Sequence, residues 1–352
     1  MTRPGPGSGA RVAPRRAVLR WLGAGLAAAV AGPPAVQAQA TRWPARPVRL
    51  LVAYPAGGVS DSMARELARF LSAQWSVGVI VENRPGAGGA VALRTLIGAQ
   101  PDGHTLVLAA ATAVRLATPA ADTIDCAERP LDEPNAQGRT PAPEALPVTP
   151  VAGLMRTPVL IAGTPALAAA RFEDLVRLAR ARPGTLRWAT TGEGTTGHKV
   201  MEQVGHASGL TVVHVPYKGG GQQIADALGG HFEVLSTNVA EPQLRAIAAG
   251  QLSALAVGAS ARLTALPDTP TLGELGLPQA NLDSLFGLFG PPRTPAAIVR
   301  RIHADVARAL LAPPLRERLA AMSNTPFSGS TEAFAAEIQL RSRREVTPTR
   351  RC

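Results

Sequence analysis

Along the chain, apolar positions recur in two alternating rhythms. From Trp43 onward, short β-rich runs alternate with stretches in which apolar residues return every three to four positions: VRLLVA, then 60–74, VGVIVE, then 89–98, then HTLVLAA. A short continuous apolar run suits a strand covered on both faces, and the longer period suits a helix with one buried face. In the first helix Met63, Leu67, Phe70 and Leu71 fall on one side, and Arg65, Glu66 and Arg69 on the other. The turn PDG, Pro101 to Gly103, separates the second helix from its following strand. This succession predicts a parallel sheet with crossover helices.

A second series follows: PVLIAG, helix 172–182, LRWATT, helix 197–208, TVVHVPY, helix 222–229, FEVLS, helix 241–249 and LSALAV. The chain then runs through LPDTPTLGELGLP and FGLFGPP to helices at about 295–311 and 315–322 and an Arg-rich helical tail. Two α/β lobes are implied, each a mixed, mostly parallel sheet flanked by helices. Between the series, at about 117–150, a Pro-, Ala- and acid-rich stretch has no period and reads as a long connection or a disordered insert.

The first forty residues change the picture of charge. Arg3, Arg11, Arg15, Arg16 and Arg20 stand there without an acid, followed by WLGAGLAAAVAG and the small residues of VQAQA. This is the layout of a cleaved export signal, with an apolar core too short to span a bilayer. PRRAVLR, Pro14 to Arg20, resembles a twin-arginine signature, and an ordinary Sec signal with a basic start is the alternative. The formal charge of +11 comes from 36 basic and 25 acidic residues; without the five leader arginines, 31 against 25 leaves +6. The remaining cations are scattered arginines with two lysines, Lys199 and Lys218, and few aromatics, so no stripe for nucleic acid is predicted. Cys126 and Cys352 make no disulfide framework. A periplasmic protein is the simplest destination.

Candidate chemistry lies at two strand-to-helix turns. In YPAGGVSD, Tyr54 to Asp61, the adjacent Gly57 and Gly58 let backbone N–H groups approach an anion at a helix start. Alternatively, the glycines only make a tight turn, with Ser60 and Asp61 capping the helix. TTGEGTTGHK, Thr190 to Lys199, repeats the device, and Gly192, Gly194 and Gly197 fit G-x-G-x-x-G. A dinucleotide site also wants an acid at the end of the next strand, which here closes HVPYKGG without one. Neither lysine sits in a P-loop. His198, Glu202 and His206 share a helix face but lack an HExxH pair or a nearby cysteine, so no metal is expected. Ser60 in GVSDS misses the nucleophile elbow by its last residue. Glycine- and hydroxyl-rich loops without a nucleophile or base predict binding rather than turnover, with no cofactor. An enzyme holding a phosphorylated cofactor and a ligand-sensing module for a signalling partner are the rival readings.

Six stretches in order, WPARPVRLLVAYPAGGVSDSMAR, VENRPGAGGAVA, PDGHTLVLA, TTGEGTTGH, VPYKGGGQQIADALGGHFEV and ALAVGASARLTALPDTPTLGELGLP, resemble the Bug family of periplasmic solute receptors of tripartite tricarboxylate transporters, from about Trp43 to Glu337. The resemblance implies a Venus-flytrap fold. Lobe 1 would comprise 41–118 and 258–352, and lobe 2 would comprise 119–257, after a leader at 1–40. It also implies a small carboxylate ligand, integral-membrane transporter subunits as partners, and a monomer. Carried over by position, Gly57, Gly58, Val59, Ser60 and Asp61 would face Thr191, Gly194, Thr195, Thr196 and His198, with Ala110, Ala111, Thr112, Tyr217 and Asn238 at further cleft positions. Asp61 is expected to accept from a ligand amine or hydroxyl, a bridging water or nearby backbone N–H groups. The sequence departs from the family in three places. LPYDPxxDFxPV is replaced by the irregular stretch near 120–150, Thr237 stands where an acid is usual, and the tail from Leu340 lacks the expected final helix.

Overall fold

The computed structural model describes residues 43–117 and 146–344. The expected leader at 1–40, most of the 117–150 connection and the end of the tail lie outside the described residues. In chain order the elements are β1 (Val48–Val52), α1 (Val59–Trp75), β2 (Val79–Asn83), a 3-10 turn (Ala87–Gly89), α2 (Ala90–Ile97), β3 (Thr105–Ala110) and α3 (Ala111–Ala117). Then come β4 (Thr149–Gly163), α4 (Phe172–Ala181), β5 (Arg187–Thr190), α5 (Thr196–Ser208), β6 (Val213–Pro216), α6 (Gly220–Leu228), β7 (Val234–Asn238), α7 (Glu241–Ala248) and β8 (Ser253–Gly258). The last are β9 (Asp283–Gly290), α8 (Ala296–Leu311), α9 (Pro313–Ala321), β10 (Thr325–Pro326) and α10 (Thr331–Arg344). The helices expected from periodicity end within two residues of these bounds.

Two sheets share one long strand, which gives the two-lobed α/β architecture expected from the sequence. In the first, β1 lies parallel between β2 and β3, and β9 runs antiparallel between β3 and the first half of β4. In the second, β5 lies parallel between β6 and β7, while the last residues of β4 run antiparallel to β7 and β8. The chain passes between sheets twice, inside β4 near Pro158 and between β8 and β9. Residues 149–158 pair in the first sheet, whereas the lobe boundary expected at 118/119 lies outside the described residues.

Each lobe has its own core. In the first, Leu51, Leu93, Leu96, Val107, Phe289, Phe334 and Ile338 meet on one face of the sheet. On α1, Met63, Leu67 and Leu71 are buried as the sequence pattern requires, and Trp75 donates its indole N–H to the buried Asp305 of α8 (2.6 Å). In the second lobe the two sheet faces are covered separately, around Trp188 on one side and Phe232 on the other.

Two segments differ from the sequence expectation. PVLIAG is only the end of β4; its first part, TPVAGLMRT, looks broken by Pro150 and Gly153 yet pairs with β9 through register shifts that absorb both. A final helix is present, α10, which starts at Thr331, runs through Leu340 to Arg344 and is held by the wholly buried Phe334 and Ile338; the rest of the tail expected to lack one, 345–352, lies outside the described residues.

Candidate functional site

The first loop is braced from within. Gly58 is the extended residue before α1, and Gly57 holds a left-handed φ of 82°. Asp61, in the first helical turn and 4% exposed, reaches back to accept from the Gly57 N–H (2.9 Å). It also accepts from Arg65 Nε (3.0 Å) and from Asn83 Nδ2 (3.0 Å), while Asn83 Nδ2 donates to the Tyr54 carbonyl as well (3.0 Å). Burial raises the Asp61 pKa, but the hydrogen bonds from Arg65, Gly57 and Asn83 and the Arg65 charge outweigh it and hold the carboxyl below its usual value. Of the donors expected for Asp61, the backbone N–H of Gly57 is found, joined by Arg65 of α1 and Asn83 of β2. The N–H groups of Val59, Ser60 and Asp61 have no acceptor within the helix, and the positive end of a 17-residue helix lies behind them.

The second loop is built differently. Thr195 caps α5, its hydroxyl accepting from the His198 N–H (3.4 Å) and donating to the Gly192 carbonyl (2.7 Å). Thr190 Oγ1 accepts from the Gly192 N–H (3.2 Å), and His198 Nδ1 accepts from the Gly194 N–H (3.0 Å). Gly192 and Gly194 take φ values of 131° and 68°, and Gly197 lies against β7, where a methyl would stand 2.8 Å from the Ser236 carbonyl oxygen. The three glycines of G-x-G-x-x-G therefore serve the turn and close helix packing. His198 stacks on His214, with ring centroids 4.3 Å apart, and His214 Nε2 lies 2.8 Å from Thr190 Oγ1. Burial and the neighbouring His198 lower the His214 pKa, with Glu193 opposing.

The remaining expected positions also lie at strand ends. Ala110 ends β3 and donates its N–H to the Tyr54 hydroxyl (3.1 Å), joining the first loop to the β3–α3 junction where Ala111 and Thr112 follow. Burial pushes the Tyr54 phenol up to about 12 despite that bond. The Tyr217 N–H donates to the Thr190 carbonyl (2.9 Å), while its hydroxyl donates to Asp226 (2.8 Å) and its ring meets Phe232 edge-on. Asn238, ending β7, accepts through Oδ1 from Ser284 of β9 (2.6 Å), a bond between the two sheets. Thr191 is half-buried beside Gly192, and Thr196 is buried in the first turn of α5.

The lobes meet at the edges of these loops. A methyl on Gly219 would stand 2.8 Å from Pro55 Cγ, and one on Gly88 would stand 3.2 Å from the Glu193 carbonyl oxygen. Both loops thus lie at the carboxyl ends of parallel strands, and their edges approach each other between the lobes; ligands of open α/β sheets bind at such strand ends. Tyr54, Arg65, Asn83 and His214 shape the site but are absent from the set expected by position. Tyr54 and Arg65 in WPARPVRLLVAYPAGGVSDSMAR and Asn83 in VENRPG stood inside the family-like stretches; His214, just before VPYKGG, lay outside them. Among the described residues, no group of three or more His, Cys, Asp or Glu could hold a metal.

A model of the tripartite tricarboxylate transporter family receptor matches residues 63–347. The chain is 30% identical over 315 residues to the protein BugT of Bordetella pertussis, covering 87% of this chain and 90% of that protein. Among solved structures, MatC from Rhodopseudomonas palustris with bound malate is similar at 26% identity and a TM-score of 0.73, covering 86% of this chain and 99% of MatC. R. palustris Rpa4515 with adipate is similar at 27% identity and a TM-score of 0.72, covering 86% and 96%.

Proposed function

Because the chain belongs to the tripartite tricarboxylate transporter family of receptors, we propose that it captures a small carboxylate between its lobes and delivers it to integral-membrane transporter subunits. The observation that carries this reading is the pairing of two helix N-termini, α1 and α5, each preceded by a glycine loop, on one cleft. Each offers backbone N–H groups and a positive dipole end to an anion. The acid in the first loop is no obstacle, since Arg65, Asn83 and Gly57 already answer its charge. Relatives of similar fold carry malate and adipate, both dicarboxylates. The leader exports the protein to the periplasm by a twin-arginine or Sec route. There it works as a monomer without cofactor or catalytic step. The hinge consists of the two passages between sheets, near Pro158 and in 259–282, and a ligand bridging both lobes favours the shut form.

The test is thermal melting of residues 41–352 against malate, adipate, other small carboxylates and nucleotides. A ligand at one hundred times its Kd stabilises by about 2.7 kcal/mol. Gly58 has an ordinary φ of −80°, and a methyl there meets only the Pro55 carbonyl oxygen at 3.7 Å, so Gly58→Leu folds normally while covering the N–H groups. A carboxylate-induced rise that Gly58→Leu abolishes supports the receptor. Stabilisation by a nucleotide alone overturns it.

A further inference from the structure

Leu116 lies on α3, in the first lobe, and packs on that lobe's core. Its side chain also reaches across the cleft. A methyl on Gly194, in the second anion loop, would stand 2.6 Å from Leu116 Cδ2, and one on Gly88, in the first lobe, would stand 2.6 Å from Leu116 Cδ1. Leu116 is therefore wedged between a bare glycine of its own lobe and a bare glycine of the other. Gly88 and Gly194 hold φ values of 59° and 68°, a region most side chains avoid, so the surfaces that receive the leucine stay bare. A second contact of the same kind lies where Pro55 of the first loop meets Gly219.

We propose that Leu116 is an affinity-determining residue that touches no ligand: seated on Gly194, it stabilises the shut form of the cleft. This rests on the reading of the protein as a carboxylate receptor. The apolar contact with Gly194 exists only when the lobes meet, so its burial favours the closed state and nothing else. It also covers the second anion loop from water, which strengthens every charge–dipole contact inside. The contact should act on escape rather than capture, because the ligand enters the open form and leaves only after the leucine has withdrawn from its glycine seat.

The experiment measures the binding of malate and adipate by calorimetry and stopped flow for wild type, Leu116→Ala, Leu116→Asn and Leu116→Met. Leu116→Ala and Leu116→Asn should weaken binding about tenfold, through a faster off-rate with the on-rate nearly unchanged. Leu116→Met, which keeps an apolar arm of similar length, should restore tight binding. Melting of the ligand-free variants separates this from damage to the fold, and Leu116→Asn, which keeps most of the bulk, guards against a cavity effect in Leu116→Ala. If the wild type binds and both polar and truncated variants bind equally well, the closing role is wrong and the receptor stands. If the wild type binds neither acid nor any other carboxylate in the melting panel, both readings fall.

Discussion

Asp61 sits where an approaching anion ought to be repelled, yet its two oxygens accept from Gly57, Arg65 and Asn83 before any ligand arrives. Asp61→Asn removes the charge and places an amide donor among donors, so it should lower the unfolding free energy in urea by about 2 kcal/mol and weaken carboxylate binding by loosening Gly57. Because the folded carboxyl titrates below its unfolded value of 3.8, its contribution is full above that value and fades as pH falls through the folded one. Asp61→Asn should lack that part of the acid slope. The histidine pair gives a second pH signature, at milder acidity. His214 faces His198, Thr190 and Glu193, with Glu202 one turn along α5 from His198, and burial and His198 hold its pKa below the ordinary value. Its folded pKa lies below the unfolded 6.5, so the unfolded chain binds more protons; stability is full above about 6.5 and falls as pH drops toward the folded value. A pH series of urea melts should show this loss for wild type and a shallower one for His214→Gln. Sequence disclosed the two glycine loops as strand-to-helix turns, because glycines cluster between an apolar run and a helical period in both. It did not disclose these partners: Arg65 reads as a solvated helix face, and His214 meets His198 only through the pairing of β5 with β6.

At the scale of elements, sequence rhythm located the strands and helices whose neighbours lie close in the chain, and it failed where an element is held by distant partners. β9 reads FGLFG, and its Gly287 is there because the Phe334 ring covers it: a methyl would stand 2.2 Å from Phe334 Cζ and 2.7 Å from the Ala152 carbonyl oxygen. Gly153 of β4 lies likewise beneath Phe327. Without these aromatic caps, supplied by α10 and the segment before it, the glycines look like turn formers and the strands vanish from the pattern. α10 was equally hard to read, since three of its six apolar residues are alanines and only Phe334 and Ile338 are wholly buried among the described residues of that helix. Phe334→Ala should therefore cost about 3–5 kcal/mol in denaturant unfolding. Gly287→Val should be comparably damaging, because the carbonyl of Ala152 cannot move aside as a side chain could. A Phe334→Ala protein as stable as wild type would mean that α10 is an appendage and not part of the first core.

For the whole molecule, the two alternating series announced two lobes, but not how the chain joins them. A strand that serves both sheets looks in sequence like one buried run preceded by a loop, and only the pairing of 149–158 with β9 reveals its other half. Next to the passages lies a ring of four charges that ties α10 to both hinge strands. Glu337 accepts from Arg156 Nη1 (2.6 Å) and Arg341 Nη2 (2.8 Å); Arg341 also bonds to Asp283 Oδ1 (2.5 Å), and Arg156 lies 3.6 Å from the other Asp283 oxygen. All four residues belong to α10 or to strands paired in the first sheet, on one side of the hinge. Opening and closing should leave them intact, so they stiffen the base about which the second lobe turns. Burial raises the Glu337 pKa, but the bonds from Arg156 and Arg341 prevail and lower it, so the stability it supplies is present above the usual 4.5 and lost as pH falls through the folded value. Glu337→Gln should lower stability by about 1 kcal/mol, modest because the side chains are partly solvated, and leave carboxylate affinity within about twofold. If affinity instead falls with little change in melting, the ring breaks and reforms during closure, and the pivot lies closer to Arg156 and Asp283 than the sheet pairing places it.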